Sequence, residues 1–309
     1  MTKSRKHITL FIISIFCFLI LVGCSNSKSS QMANELELSL NEISEITISY
    51  DEEKITFFAG DSDNLVIKEY MTVNKSKYYA KVNQLSDSIH ISEGDKPFLK
   101  SGFSRYVEVY LPVSYHQNIT ISTTNGDIDL SNLDLDVSML RVDSTSGTVQ
   151  LNSAVASSVH LSSTSGTLKL GSIRGKQIRL ETTSGNVTCS ELNGDVTYIT
   201  TSGNADIKSA IGAGSYKANN SGKLSVAYTD VDGNLSFFNK NGNIDINIPA
   251  DLEFNFEAAT KNGSIDTTFQ ENITINGRMT SGTVGDNPTV TIKAETNNGD
   301  IQVSHTKQN

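Results

Sequence analysis

The chain of 309 residues has no tryptophan, 4 prolines and 3 cysteines, and only 19% of its residues are charged. It contains no Cys-x-x-Cys, no His-Glu-x-x-His and no Gly-x-Ser-x-Gly, so the short signatures of zinc centres, zinc hydrolases and serine hydrolases are missing. Positive charge is scarce too. Lys+Arg 25 stand against Asp+Glu 34, which leaves no basic face for the phosphate attraction that nucleic-acid binding requires. Helical hydrophobic periodicity is absent, while Ser, Thr, Asn, Gly and β-branched residues abound, so the composition predicts an all-β protein.

The one long apolar run lies at the N-terminus. Lys3, Arg5 and Lys6 precede the apolar stretch from Ile8 to Val22, the order of a secretory signal, and the stretch is short for a bilayer span. It ends in Leu21-Val22-Gly23-Cys24, which resembles the bacterial lipobox. That resemblance implies cleavage before Cys24 and acylation of its thiol, giving an exported protein anchored by lipid to the bacterial cell membrane and facing outward. Several acyl chains on one residue would hold it firmly where a single chain would not. The expected organisation is a signal peptide over residues 1–23, a polar tether over 24–34, a β segment over 35–118 and a repeat domain over 119–309. Loss of the signal leaves 22 basic and 34 acidic side chains, a net charge of −12. Cys17 departs with the signal and Cys24 carries lipid, so Cys189 cannot form an intrachain disulfide and reads as a buried structural thiol.

A repeat of about nineteen residues dominates the rest. Ser-Gly or Asn-Gly recurs with glycine at positions 126, 147, 166, 185, 203, 222, 242, 263, 282 and 299. Two residues beyond each glycine stands an apolar residue, from Ile128, Val149 and Leu168 through to Ile301, and polar residues alternate with it, which is the period of a strand with one buried face. Three residues before each glycine, the same parity carries mostly hydroxyls and amides, among them Thr123, Ser144, Ser163, Thr182, Thr200 and Asn239. Glycine at the corner would supply positive φ. An antiparallel meander with Asn-Gly hairpins fits this parity. A parallel β-solenoid of about ten rungs also fits, and it aligns the glycine, hydroxyl and apolar columns at once. Nine intervals at ~4.8 Å would make a rod on the order of 45 Å long. In the Gly222 unit Tyr216 and Ala218 stand one residue off the apolar positions, which predicts a bulge.

Residues 35–118 lack the repeat and read as hairpin-connected strands, with runs such as Ile46–Tyr50, Leu65–Tyr70 and Tyr106–Leu111. Seven of the ten tyrosines lie there (Tyr50, Tyr70, Tyr78, Tyr79, Tyr106, Tyr110, Tyr115), either as half-buried strand residues or as a binding face for glycan or peptide. The ordered set Val-Glu-Val-Tyr-Leu-Pro at 107–112, Thr-Thr-Asn-Gly-Asp-Ile at 123–128, the Thr-Ser-Gly units, Asn-Gly-Asn-Ile-Asp-Ile-Asn-Ile-Pro at 241–249 and Asn-Asn-Gly-Asp-Ile at 297–301 resembles the bacterial putative-adhesin domain of unknown function. The resemblance implies a β-rich, repeat-bearing cell-envelope module and brings no catalytic residues with it.

Chemistry is sparse. His90, His116, His160 and His305 are scattered singly, and Ser62-Asp63-Asn64 with Ser25–Lys28 imitates a penicillin-binding serine enzyme without the helix or the Lys-Thr-Gly that such a site needs. Asp129, Asp206, Asp245 and Asp266 share the position three after glycine, and Asp127 and Asp300 the position one after it. If neighbouring units stack in chain order, Asp245 and Asp266 could hold a cation between rungs, but solvated charges suffice to explain the column. The expectation is a protein without catalytic, cofactor or metal residues, with Cys24 as its only modified position. Its partners would be the membrane, through that lipid, and an envelope polymer or protein, with no nucleic acid. A carbohydrate-active enzyme on the same scaffold and a passive spacer are the alternatives.

Overall fold

The computed structural model describes residues 29–98, 102–269 and 273–305. The signal, Cys17 and Cys24 lie outside the described residues. Among those described, strands account for every regular element except one 3-10 turn at Ser76–Tyr78, and no helix is long and apolar enough to cross a membrane.

The chain is a run of parallel rungs, a β-solenoid, and the antiparallel meander is excluded by the pairing itself. Ile128–Ser144, Thr148–Ser163, Thr167–Thr182 and Val187–Thr200 pair parallel in successive register: Ile128↔Val149, Val149↔Leu168 and Leu168↔Val187 on one side, Leu140↔Val159, Val159↔Ile178 and Ile178↔Val196 on another. Burial alternates with period two on both sides but slips by one residue twice in Ile128–Ser144, between Leu130 and Leu133 and between Val137 and Leu140, and twice in Thr148–Ser163, between Leu151 and Ala154 and between Ala156 and Val159. Each slip turns the strand to keep its apolar side chains inward, so one rung has three sides: a leading side after the corner glycine, a middle side and a trailing side. Inward residues of all three merge into one hydrophobic core from Ile43 to Val303. The bulge expected in the Gly222 unit is present, because Thr200 pairs with Ala218 and register shifts between Ala218 and Ser221.

The glycine column has a different cause from the one the sequence suggests. Gly147, Gly222 and Gly242 have positive φ (101, 142 and 155), but Gly126, Gly166, Gly185, Gly203, Gly263 and Gly299 do not lie in the left-handed region. What they share is proximity. A Cβ on Gly166 would sit 2.0 Å from the Gly147 carbonyl oxygen, one on Gly185 2.1 Å from that of Gly166, and one on Gly203 2.1 Å from that of Gly185. Backbones stack too closely at this corner for any side chain. The buried hydroxyls three residues earlier tie the corner down, since Gly126, Gly166 and Gly203 N–H donate to the oxygens of Thr123 (2.9 Å), Ser163 (2.9 Å) and Thr200 (2.7 Å).

Rungs stack in chain order only in the middle. At the C-terminal end, Leu235–Asn241 pairs with Val290–Asn298, which pairs on its other edge with Phe254–Asn262. The last rung in sequence is therefore inserted between two earlier ones. Contacts of the corner glycines follow the same path, from Gly242 to Gly299 to Gly263. Gly282 is no corner: Met279–Val284 runs antiparallel to Phe254–Asn262 and forms a hairpin with Ile273–Asn276.

The N-terminal end repeats the device. Glu45–Tyr50 lies between Ser88–Ser92 and Asn118–Thr123, parallel to both, and Lys54–Gly60 lies between Arg105–Pro112 and Ile128–Ser144. Much of the segment expected to be hairpins is thus solenoid. The rung of Glu45–Tyr50 and Lys54–Gly60 was hidden because its corner carries Glu53 in place of glycine. Hairpin pairing is confined to the outermost layer, where Asn64–Met71 is antiparallel to Arg105–Pro112, Gln31–Ser39 to Asn64–Met71, and Lys81–Gln84 to Ser88–Ser92. With the Gly282 unit removed and two rungs added, the trailing side has eleven parallel strands, a stack about 50 Å long at the usual strand spacing.

Candidate binding surface

The tyrosines of the N-terminal end divide by parity. Tyr50, Tyr78 and Tyr115 are buried. Tyr70, Tyr106 and Tyr110 point the other way, onto the outer leading side, because their strands bury Leu65, Ile67, Val107, Val109 and Leu111 on alternate positions. Tyr70 is directly opposite Tyr106 across the antiparallel pair, and the rings stack at 4.5 Å and 3°. One rung inward, Phe58 is opposite Tyr110 and stacks on it at 5.3 Å. Between the two stacks, Glu108 accepts hydrogen bonds from both Tyr70 and Tyr110, each 2.9 Å. Lys68 lies over the Tyr110 ring, 4.9 Å from its centroid.

Burial raises the Tyr70 phenol, and the hydrogen bond and charge of Glu108 add to it, pushing it up to about 12. Tyr106 and Tyr110 are raised by burial and by Glu108 in the same sense. All three remain O–H donors well above neutral pH. The outcome is a fixed patch of four rings, three phenols, one carboxylate and one ammonium, held on three hydrogen-bonded strands. Of these, Phe58, Glu108 and Lys68 were missed in the sequence. Strand parity relative to Tyr70 and Tyr106 would have selected Lys68 and Glu108, whereas Phe58 needed the out-of-order pairing.

Beneath the patch lies an ionic cluster. The Arg105 guanidinium is buried, with Nη2 2.9 Å from Glu53 and 3.1 Å from Glu93, and Nη1 donates to the Tyr78 carbonyl at 2.6 Å. Lys96 Nζ is 3.0 Å from Glu93 and 3.6 Å from Glu53. Buried Glu69 accepts from the Tyr50 hydroxyl (3.3 Å), the Asn34 amide (2.8 Å) and the Ala80 N–H (2.7 Å). Every acid here is matched by a cation or a donor, so the cluster fastens the terminal layers together.

The other sequence candidates resolve as structure. Asp127 and Asp300 accept the backbone N–H of the next rung, from Thr148 (2.7 Å) and Ser264 (2.8 Å), as Asn204, which the sequence did not single out, does at the same position from Lys223 (2.7 Å). Asp129, Asp206 and Asp245 pair with Lys54, Lys208 and Lys223 at 3.3, 2.7 and 2.6 Å. Asp245 and Asp266 are not on adjacent rungs, because Gln302 of the inserted strand lies between them, so the cation site drawn from chain order does not form. Among the described residues no three His, Cys, Asp or Glu side chains converge to hold a metal. Cys189 is buried, its thiol pushed by burial up to about 12, and its sulfur lies 3.3 Å from the Glu191 carbonyl, the setting of an inert packing thiol. Ser62, Asp63 and Asn64 sit at a turn and the start of a strand. His116 is on the surface, 2.7 Å from the Asp136 carbonyl. His160 bridges Arg141 (3.0 Å) and Glu181 (3.1 Å) on the outer trailing side, where Arg141 is also held by Asp143 and Arg179 by Glu181. That ladder of charges is satisfied from rung to rung.

Interleaved rungs, a glycine-packed corner and aromatic outer strands define a β-solenoid-like repeat protein. The Toastrack DUF4097 family matches residues 43–304, and the chain belongs to it. Solved structures similar to the chain include a putative adhesin from Parabacteroides distasonis ATCC 8503, at 12% identity over 88% of this chain and 96% of that one with a TM-score of 0.43. They also include a putative lipid binding protein from the same organism, at 12% identity over 89% and 96% with a TM-score of 0.43. A third is a putative cell adhesion protein from Clostridium sporogenes ATCC 15579, at 10% identity over 88% and 98% with a TM-score of 0.26. No curated protein matches the chain by sequence.

Proposed function

We propose that this protein is a lipid-anchored, outward-facing and non-catalytic binding module of the bacterial cell envelope, and that the Tyr70–Tyr106–Tyr110–Phe58 patch is where it holds an envelope polysaccharide. The patch carries the reading. Sugars present apolar C–H faces and hydroxyls together, and stacked aromatic rings beside a carboxylate acceptor and phenol donors match both. Rigid strands hold the rings, so little ordering entropy opposes binding. The satisfied ionic cluster and the alkaline shift of Cys189 favour binding over catalysis, since neither offers a group poised to react. Anchoring rests on Lys3, Arg5, Lys6, the apolar run and Leu21–Cys24.

Two measurements test this. Sedimentation with purified envelope polysaccharide should lose at least ~10-fold in affinity on Tyr70→Ala with Tyr106→Ala, a loss of ~1.4 kcal/mol or more, whereas Phe238→Ala, far along the stack, should change nothing. Equal binding by all three proteins would remove the patch from the function. Metabolic labelling with a palmitate analogue should mark the wild type and spare Cys24→Ala; equal labelling would refute the anchor.

A further inference from the structure

The end of the stack nearest the N-terminus differs from its flanks in both charge and apolar exposure. The mature chain is strongly acidic, yet residues 70–86 contain Lys75, Lys77 and Lys81 and no acid; the acids beside them are Asp95, 2.9 Å from Lys81 Nζ, and Glu35 and Glu37 on the edge strand. The same layer exposes large apolar side chains: Met32 at 53%, Leu85 at 61% and Phe98 at 100%, with Val82 at 36%. Topology gathers them. Among the described residues, Gln31–Ser39 is the outermost strand of the leading side and Lys81–Gln84 the outermost strand of the trailing side. Glu69 joins the two edges by accepting from Asn34 on one and from Ala80 beside the other, and Ser30 reaches Ser104 at 3.2 Å. Basic residues interspersed with exposed Leu, Val and Met make a surface suited to the interface of an anionic bilayer.

The position of the chain start says what covers this end. Gln31 opens the edge strand, and Cys24 is seven residues earlier, a distance that even a fully extended chain spans in at most about 25 Å. A lipid on Cys24 therefore tethers this end, and not the hairpin of Ile273–Asn276 and Met279–Val284 some 50 Å away, at the membrane surface.

We infer that the N-terminal end layer is a membrane-apposed surface, in which Met32, Val82 and Leu85 enter the lipid interface and Lys75, Lys77 and Lys81 contact anionic headgroups, so that the solenoid stands end-on to the bilayer. The inference rests on the proposed lipid anchor. Its geometry places the aromatic patch on the flank just above the membrane, within reach of polymer lying against it.

Because the chain has no tryptophan, one substitution supplies a clean reporter. Membrane-anchored protein carrying Leu85→Trp is purified and reconstituted into vesicles of phosphatidylglycerol and phosphatidylcholine, with Ile275→Trp, 70% exposed at the far end, as the comparison. Emission from the residue-85 reporter should shift to the blue and be quenched severalfold by lipids brominated on their acyl chains, and the residue-275 reporter should do neither. Replacing Lys75, Lys77 and Lys81 together by Glu should abolish the quenching while the protein still floats with the vesicles. Protein that floats with vesicles but leaves the residue-85 reporter at its vesicle-free emission overturns the end-on surface and spares the anchor. Protein that does not float overturns the anchor and this inference with it.

Discussion

In the middle of the molecule, rungs follow one another in space as they do in sequence; at both ends they do not. Between residues 118 and 248 successive rungs stack on one another in chain order through a glycine corner. At the ends, Glu45–Tyr50 and Val290–Asn298 are each clasped between rungs that come from elsewhere in the chain. A purely sequential solenoid would end in two open parallel edges that invite pairing with another chain. Here each end is closed by a rung inserted out of order and finished by antiparallel strands. Local pairing builds the shaft, and long-range pairing locks it.

The largest expected effect breaks the lock without touching the shaft. Truncation before residue 290 removes the inserted rung and leaves Leu235–Asn241 and Phe254–Asn262 without their shared neighbour. Hydrogen exchange should lose protection across residues 235–284 while residues 139–182 keep theirs. Excising residues 148–166 is the contrasting change: Ile128 then meets Leu168 in the same register, so the protein should fold with one rung fewer and lower stability. If the excision proves worse than the truncation, ends and middle do not differ as described.

Next come the two corners. Replacing Arg105 by Met takes the buried guanidinium from Glu53 and Glu93, leaves them Lys96 as cation partner, and should cost about 3–5 kcal/mol, read by chemical denaturation. Gly166→Ala forces a methyl group to within 2.0 Å of the Gly147 oxygen and should cost about 1–3 kcal/mol as the stack is pried apart. The two corners are equivalent positions, since a Cβ on Gly126 would lie 1.9 Å from the Glu53 oxygen. One is closed by bare backbone and the other by buried charge.

This contrast also accounts for what the sequence disclosed. The shaft was legible because its corner demands glycine, and a residue type required every nineteen positions leaves a visible period. Glu53 meets the same geometry with different chemistry, so its rung read as an ordinary strand. The inserted order was illegible because Ile265, Ile301 and Ile244 look alike whichever stacks on which, and the Asp245–Asp266 pairing failed for that reason. The middle side was missed because it is marked only by slips in parity, such as Leu130 to Leu133. Of the binding surface, the tyrosines were visible, but which three faced outward required knowing that Ile67, Val107 and Val109 faced in.

The smallest effect sharpens the comparison by pH. Burial and a hydrogen bond to Glu53 raise the Glu93 carboxyl above its ordinary value. Burial would raise Glu53 as well, but the hydrogen bond from Glu93 and the charge of Arg105 outweigh it and hold Glu53 low. A raised carboxyl contributes stability that is complete below the unfolded value and lost as pH climbs through the folded one. A lowered carboxyl contributes stability above the unfolded value and loses it as pH falls through the folded one. The N-terminal end should accordingly be most stable near the ordinary glutamate value of 4.5 and weaken in both directions. Glu93→Gln keeps a donor for Glu53 and has no proton to lose, so thermal unfolding followed by circular dichroism should show the decline toward neutral pH abolished and the decline in acid retained. Unchanged behaviour on both sides would mean that Glu53 and Glu93 do not share a proton. The glycine that closes the shaft corner at Gly166 does not titrate, and a variant such as Gly166→Ala should lower the midpoint by the same amount at every pH.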